Sequence, residues 1–385
     1  MDSKGTIIQT SFGISTSKMR EGLNSYSKYI LYDYLQVAGG AERLTLILAN
    51  KFRDFQVITS RSYPEAELLL KELNPSISNL GNVYSKILSP ILEAIYCFQH
   101  RTAFLEKADI ALYSGFYAPL AIINQKFGKK IYYCHTPPRF AYDLVDKYSQ
   151  QIPVVLRPLF LKLLGFFRKQ YEQSLLSMDT IYANSLNVQK KLENLLGIKS
   201  QIIYPPVDLE HFTWLSDGDY YVSLARLTAK KRVDLIIEAF RKMPNKKLIV
   251  LSGGPEYARL RLLANTAPNI FFTNWLSEKE LSHTVGHSRA AIYIPIDEDF
   301  GMSSIEAMAA GKPVIGVREG GLIETIDDKE TGLLIPASPS VENLIDAVSE
   351  LESLDPKSMR KDCIAKAKKF STEIFLGKMG EIMRV

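Results

Sequence analysis

The stretch Ile294–Pro313 reads IPIDEDFGMSSIEAMAAGKP. An apolar run, Ala290 to Ile296, precedes the acidic turn and reads as a buried strand. Beyond the turn, Ser303 and Ser304 serve as N-caps for a helix over Ile305–Ala310, which Gly311 and Pro313 stop. Glu298 and Glu306 stand eight residues apart, one in the loop at the strand's carboxyl end and one in the first helical turn. Both carboxylates then face one small volume, and the backbone amides of Phe300, Gly301, Met302, Ser303 and Ser304 point into it. Helix N-termini attract phosphate because their N–H groups lack intrahelical partners and the macrodipole is positive there. Glutamates are good acceptors for sugar hydroxyls, so the implied ligand has a diphosphate in the middle and a polyol at each end. On spacing alone, two surface glutamates beside a helix cap is the competing reading.

Working outward, the second half alternates strand and helix. Strands are predicted at Tyr220–Ala225, Lys247–Ser252, Asn269–Thr273, Ala290–Ile296, Pro313–Val317 and Gly332–Ile335. Arg226 and Lys231 lie five apart across the first strand-to-helix loop, where both can reach one anion, Arg as a fork and Lys as a point charge. A solvated basic loop is the alternative. Trp275 either stacks on a nucleobase or packs on its own domain.

The first half alternates in the same way, with strands at Tyr29–Tyr34, Phe55–Ser60, Asp109–Ser114, Lys130–Cys134, Asp179–Asn184 and Gln201–Tyr204. This is the pattern of a parallel doubly wound sheet, whose ligands gather beyond the strands' carboxyl ends. Gly39 and Gly40 follow the first strand and open a helix. That arrangement suits a phosphate cradle, but it lacks the dinucleotide spacing. His135 and Arg139, in Tyr132-Tyr133-Cys134-His135-Thr136-Pro137-Pro138-Arg139, follow another strand. Tyr204-Pro205-Pro206-Val207-Asp208 is stiff and extended, and marks a boundary between domains at 29–205 and 206–370.

With 385 residues, 46% apolar and 23% charged, the chain has the composition of a two-domain globular protein. Its three cysteines follow no metal or disulfide spacing, which points to a reducing setting. Residues 1–28 are polar and Ser-rich with no signal-peptide pattern, and read as a flexible leader with a short strand possible at Thr6–Phe12. Up to Pro205 there are 24 Lys+Arg and 16 Asp+Glu (net +8). From Pro206 on there are 23 and 26 (net −3), which together make +5. A basic first half suits an anionic partner, phospholipid or lipid diphosphate, and no nucleic-acid module is present. Ile152–Lys169 has no acidic residue and no apolar run near the ~20 residues that span a bilayer. It reads either as a core-packed helix or as an interfacial one, and Leu80–Phe104 could share the latter role.

E-D-F-G-M-S-S-I-E followed by A-M-A-A-G-K-P-V resembles the Glu-x7-Glu motif of the retaining glycosyltransferases of the GT4 family. The resemblance extends over nearly the whole chain after residue 28. It implies the GT-B fold, two facing Rossmann-like domains with the active site in the cleft between them, and a last helix near 371–385 that crosses back. It assigns Glu298 to the donor sugar, Glu306 to the ribose, and Arg226 with Lys231 to the diphosphate. Lys230 stands as a substitute for Lys231, and Gly320, Gly321 and Glu324 match a segment near the donor. Gly39 and Gly40 match a GG-x-E/A-R segment over the cleft, and His135 matches a histidine beside the donor sugar. The string Y-C-H-T-P-P-R-F-A-Y-D-L is similar to GDP-mannose-dependent mannosyltransferases of O-antigen and exopolysaccharide assembly, with Arg139 and Asp143 on the acceptor side.

The implied reaction moves a hexose, with mannose from GDP-mannose preferred, to a polyprenyl-diphosphate-linked saccharide. It proceeds with no cofactor and no metal, at the cytoplasmic face of the plasma membrane, where the protein sits peripherally. The D-E-D run is not taken as a metal motif. A UDP-sugar donor, a soluble acceptor and a non-catalytic nucleotide-sugar-binding protein are the rival readings. Three positions depart from the family pattern by replacing a glycine: Arg232, Ser252 and Asn274.

Overall fold

The computed structural model describes residues 27–36, 39–63, 76–81 and 90–384. The leader, apart from its last two residues, and the strand expected at Thr6–Phe12 lie outside them, as does part of Leu80–Phe104.

The first sheet holds β1 (Lys28–Tyr32), β2 (Gln56–Thr59), β3 (Ile77–Asn79), β4 (Ile110–Ser114), β5 (Lys129–Cys134), β6 (Thr180–Ala183) and β7 (Gln201–Ile202), in the order β3-β2-β1-β4-β5-β6-β7. The second holds β8 (Tyr220–Ser223), β9 (Lys247–Leu251), β10 (Ile270–Asn274), β11 (Ala290–Tyr293), β12 (Val314–Val317) and β13 (Gly332–Ile335), in the order β10-β9-β8-β11-β12-β13. Described ladders such as β1 with β4 and β11 with β12 are parallel. Their central strands are continuous apolar runs because helices cover both faces of such sheets. β4 (IALYS) and β11 (AAIY) are buried at every position. Phe240 and Tyr221 pack edge to face at 5.5 Å in the core of the second sheet. Truncating Phe240 would cost about 3–5 kcal/mol.

By backbone proximity the chain forms two compact units. One comprises the described residues up to Tyr132 together with Phe166–Thr180. The other comprises Tyr133–Gly165 and Ile181–Arg384. In the second unit the helix Thr372–Ile382 brings Phe375 to 6.2 Å from the Tyr133 ring.

The segment expected as one helix over Ile152–Lys169 divides differently. A 3-10 turn, Val154–Leu156, leads into a helix over Arg157–Leu176, with Pro158 in its first turn where its missing N–H does no harm. Leu164, Phe167, Tyr171 and Leu175 form its buried stripe, while Val154, Val155, Leu159, Leu163 and Phe166 are exposed. One face of the helix is therefore packed on the core, as the first reading expected, and the other is exposed. Among the described residues no helix is long and apolar enough to cross a membrane.

Candidate functional site

The second unit places β11 at the centre of its sheet and the acidic turn directly beyond it. Asp297 enters a left-handed conformation, φ 45°, and Gly301 another, φ 95°. The helix then runs Met302–Ala309 with Gly301 as its N-cap. This corrects the expected cap. Ser303 and Ser304 lie inside the first turn, because the left-handed glycine starts the helix early. The Ser304 hydroxyl donates to the Gly301 carbonyl at 2.6 Å and also meets Thr325 Oγ1 at 3.1 Å. Glycine suits position 301, where the backbone is left-handed at φ 95° and a Cβ would also lie 2.6 Å from the end of the Leu322 side chain. The Phe300 ring is buried, stacked on Tyr204 at 5.6 Å and edge-on to Phe370 at 5.4 Å. Its side chain is therefore core, and its backbone is what remains for a ligand.

Lys231 Nζ donates to Glu298 Oε2 and to the Tyr293 hydroxyl, both at 2.6 Å, and lies 4.9 Å from the Tyr293 ring centroid. Tyr293 is buried, which with the nearby charges of Glu298 and Glu306 drives its phenol well above the usual range. One neutral phenol thus stands beside the Glu298 carboxylate, bridged to it by an ammonium. Arg226 lies exposed, and its side chain has no partner among the described residues. It is not brought to Lys231 by any ion pair or hydrogen bond. Lys230 is also exposed at the side chain, while its carbonyl accepts from Ile296 N at 2.8 Å and ties this loop to the Glu298 turn.

The acids flanking Glu298 have partners of their own. Asp297 pairs with Arg139 at 2.6 Å and Lys191 at 2.8 Å, and Asp299 pairs with Lys191 at 2.7 Å. Arg139 also donates to Asp143 through Nε and Nη2, at 2.8 and 2.5 Å. Arg139 and Asp143, expected on the acceptor side, therefore form a network with the acidic turn. Burial raises the Asp299 carboxyl above the usual range even though Lys191 and Thr136 pull it down. Among the described residues no group of three or more His, Cys, Asp or Glu side chains is placed to hold a metal ion. His135 lies at the end of β5 with its ring 5.1 Å from Tyr133, and burial pushes it down to about 4. The imidazole is accordingly neutral at physiological pH.

Asn187 Nδ2 donates to the Glu298 carbonyl at 3.1 Å, and Gly321 N donates to the same atom at 2.8 Å. Gly320 sits so close that a Cβ would meet Glu298 O at 2.3 Å. Glu324 accepts from Leu186 N (2.9 Å) and Asn187 N (3.1 Å), so its carboxylate caps the helix Leu186–Leu196. Trp275 is exposed, with its indole edge over Gly253, where a Cβ would lie 2.5 Å from Nε1. It packs on its own unit and still offers a free face.

Sequence reasoning missed Tyr293, Lys191 and Asn187. The only signal for Tyr293 is its hydroxyl in an otherwise apolar strand, and Lys191 reads as an ordinary surface lysine until the fold brings it 108 residues down the chain.

In the first unit Gly39 caps the helix Gly40–Lys51 and Gly40 is its first residue. A Cβ on Gly39 would meet the Glu42 carboxylate at 2.5 Å. The helix start that sequence offered to a phosphate thus has an acid beside it. Nearby, buried Asp33 accepts from Phe116 N, Tyr117 N and Ala118 N at 2.6, 2.7 and 2.8 Å.

Comparison with known proteins gives this geometry a context. Residues 206–370 match the family described as glycosyl transferases group 1. An alpha-1,3/1,6-mannosyltransferase of Rhizomucor pusillus is 24% identical over 269 residues, 55% of this chain and 56% of that one. A GDP-mannose-dependent alpha-(1-6)-phosphatidylinositol monomannoside mannosyltransferase of Mycobacterium tuberculosis (strain CDC 1551 / Oshkosh) is 33% identical over 153 residues, 36% of this chain and 39% of that one. The aligned region therefore spans about half, or less, of the length of these relatives. Among solved structures, Anabaena HepE in complex with UDP and glucose superposes with a TM-score of 0.73 at 15% identity, over 94% of this chain and 100% of that one. The two parallel α/β sheets and this likeness establish the GT-B fold class.

Proposed function

We propose that this chain, which carries a group 1 glycosyltransferase domain over residues 206–370, transfers a hexose from a nucleotide-sugar to an acceptor hydroxyl with retention at the anomeric carbon. The observation that carries the reading is Lys231 between Glu298 and Tyr293 at the carboxyl end of β11, with the charge of Glu306 also acting on that phenol. Parallel sheets collect ligands at that end. Glu298 would accept from the sugar's hydroxyls and Glu306 from the ribose. Lys231, the free side chain of Arg226 and the amides at the start of the helix Met302–Ala309 would meet the diphosphate. Stabilising the two charges of the leaving diphosphate is the main electrostatic task. In the transfer, the bond from the anomeric carbon to the phosphate oxygen breaks and the bond to the acceptor oxygen forms on the same face. The acceptor's proton passes to the leaving phosphate. His135, being neutral, would contribute a hydrogen bond rather than a charge.

The preferred donor is GDP-mannose, supported by the similarity to a relative named for that donor. The preferred acceptor is a polyprenyl-diphosphate-linked saccharide, met at the inner face of the plasma membrane by residues 29–205. Support comes from the exposed Val154, Val155, Leu159, Leu163 and Phe166, alongside Arg157, Lys162, Arg168 and Lys169. Apolar side chains flanked by cations suit an anionic bilayer surface. Radiolabelled transfer from a panel of GDP- and UDP-hexoses to such an acceptor tests the reading, with EDTA added to check that no metal is required. GDP-mannose should give the fastest label transfer. Label appearing only as free sugar, from every donor, would contradict it. Changing the four cations together to Gln should weaken binding to anionic vesicles at low salt and leave donor binding intact.

A further inference from the structure

Arg232 follows Lys231 at the N-cap of the helix Val233–Arg241, with a left-handed backbone at φ 51° and ψ 33°. Bulky residues rarely adopt that conformation, and this one makes no side-chain capping bond. Its guanidinium reaches elsewhere. Nη1 donates to the Ala337 carbonyl at 2.7 Å, and Nη2 donates to the Pro295 carbonyl at 2.9 Å and to Glu319 at 3.2 Å. These acceptors lie just beyond the carboxyl ends of β13, β11 and β12.

Two of the three govern the acidic turn. Pro295 begins the approach to Glu298, three residues ahead of it. Glu319 precedes the Gly320-Gly321 loop that presses on the Glu298 backbone and donates to its carbonyl. One guanidinium therefore fastens both sides of the Glu298 turn, one residue along from the ammonium that holds the Glu298 carboxylate. A planar fork with five donors suits three diverging acceptors, whereas a lysine offers a single point charge.

We propose that Arg232 is a positioning residue that keeps Glu298 and Lys231 in one register, so that the sugar and the diphosphate of a single donor meet them together. This rests on the reading of the site as a nucleotide-sugar site. A residue that merely staples the fold would affect stability and every ligand alike. One that sets the Glu298 register should affect the sugar more than the nucleotide.

The test uses Arg232→Gly, which relaxes the left-handed backbone while removing the fork, and Arg232→Lys, which keeps the charge. Melting temperature, nucleoside diphosphate Kd, nucleotide-sugar Kd, kcat and KM are measured for each full-length chain. Arg232→Gly should fold and hold the nucleoside diphosphate within about threefold of the wild type. It should lose the extra affinity contributed by the sugar and roughly tenfold of kcat. Arg232→Lys should recover part of both. Glu319→Gln, which cuts one arm of the clamp, should show a smaller loss of the same kind and serves if the glycine variant does not fold. Wild-type kcat and sugar affinity in Arg232→Gly, or in Glu319→Gln where only that variant folds, would overturn the proposal. So would losses that follow melting temperature equally for both ligands. If the wild-type chain itself gains nothing from the sugar and turns over no donor, the functional reading fails first and takes this inference with it.

Discussion

Each unit places acids beyond a strand's carboxyl end, in the loop or in the first turn of the helix that follows, and the two sets are held by different chemistry. In the first unit, Asp33 is held by three backbone N–H groups and Glu42 by the Tyr32 hydroxyl. Burial raises both carboxyls, Asp33 to about 6. In the second unit, Asp297, Glu298 and Asp299 meet Lys191, Arg139 and Lys231 as ion pairs. Lys191 and Arg139 pull the Asp297 carboxyl below its usual range in spite of burial. Backbone donors fix an acid in place and add no mobile charge. Ammonium groups can exchange a carboxylate for a phosphate. Acids beyond a strand's end are thus held by neutral donors in one unit and by side-chain cations in the other.

Removing a cation should break this contrast most severely. Lys231→Ala deletes a proposed diphosphate ligand and leaves Glu298 without its counterion, so kcat/KM for the donor should fall by roughly a hundredfold or more. Nucleoside diphosphate affinity should fall with it, while nucleoside affinity barely changes. Equal losses for the two would mean that Lys231 only supports the fold. Glu298→Ala should lower kcat by about ten- to a hundredfold, since hydrogen bonds to a charged group contribute about 1.5–3 kcal/mol. Its nucleoside diphosphate affinity should survive, and unchanged turnover would remove Glu298 from the site.

Acid titration sharpens the comparison at the next level. Asp33, raised from 3.8 to about 6, binds its proton more tightly when folded, so it favours the folded state increasingly as pH falls from 6 towards 4. His135, lowered from 6.5 to about 4, is protonated more readily when unfolded, so stability is lost over the same fall. Each contributes on the order of 1–2 kcal/mol between pH 6.5 and 4.5, with opposite signs. Denaturant unfolding should therefore show Asp33→Asn losing stability on acidification and His135→Gln gaining it, each relative to the wild-type slope. Parallel slopes in all three proteins would refute both assignments.

The smallest effect concerns backbone strain. Arg232, Ser252 and Asn274 stand where the family pattern has glycine, and each keeps a positive φ, of 51°, 111° and 60°. Asparagine tolerates this well, and Arg232 is tied down by its clamp. Ser252 has the least compensation. Ser252→Gly should raise stability by about 0.5–1 kcal/mol, measured as a shift in denaturant midpoint at constant slope. A lower midpoint would show that the serine is not strained.

These positions also mark where sequence was and was not informative. Long apolar strands such as β4 and β11 were legible to within a few residues because both faces are buried. β3 was missed, having one apolar residue, Ile77, among three. The cap at Gly301 was misplaced onto serines because a left-handed glycine start leaves no polar signature. The pairing of Lys231 with Glu298 spans 67 residues, and that of Lys191 with Asp299 spans 108. No local pattern announces contacts of that range. The residue types were visible, and their partners depended on the sheet order.

The central claim is that the Lys231–Glu298 centre receives a nucleotide-sugar. Calorimetric titration of the full chain with GDP, UDP, GDP-mannose and UDP-glucose, repeated on Lys231→Ala, tests it most directly. The account predicts that one nucleoside diphosphate binds, that its sugar conjugate binds more tightly, and that Lys231→Ala weakens both. Heats indistinguishable from dilution for all four ligands, or unchanged binding in Lys231→Ala, would contradict it.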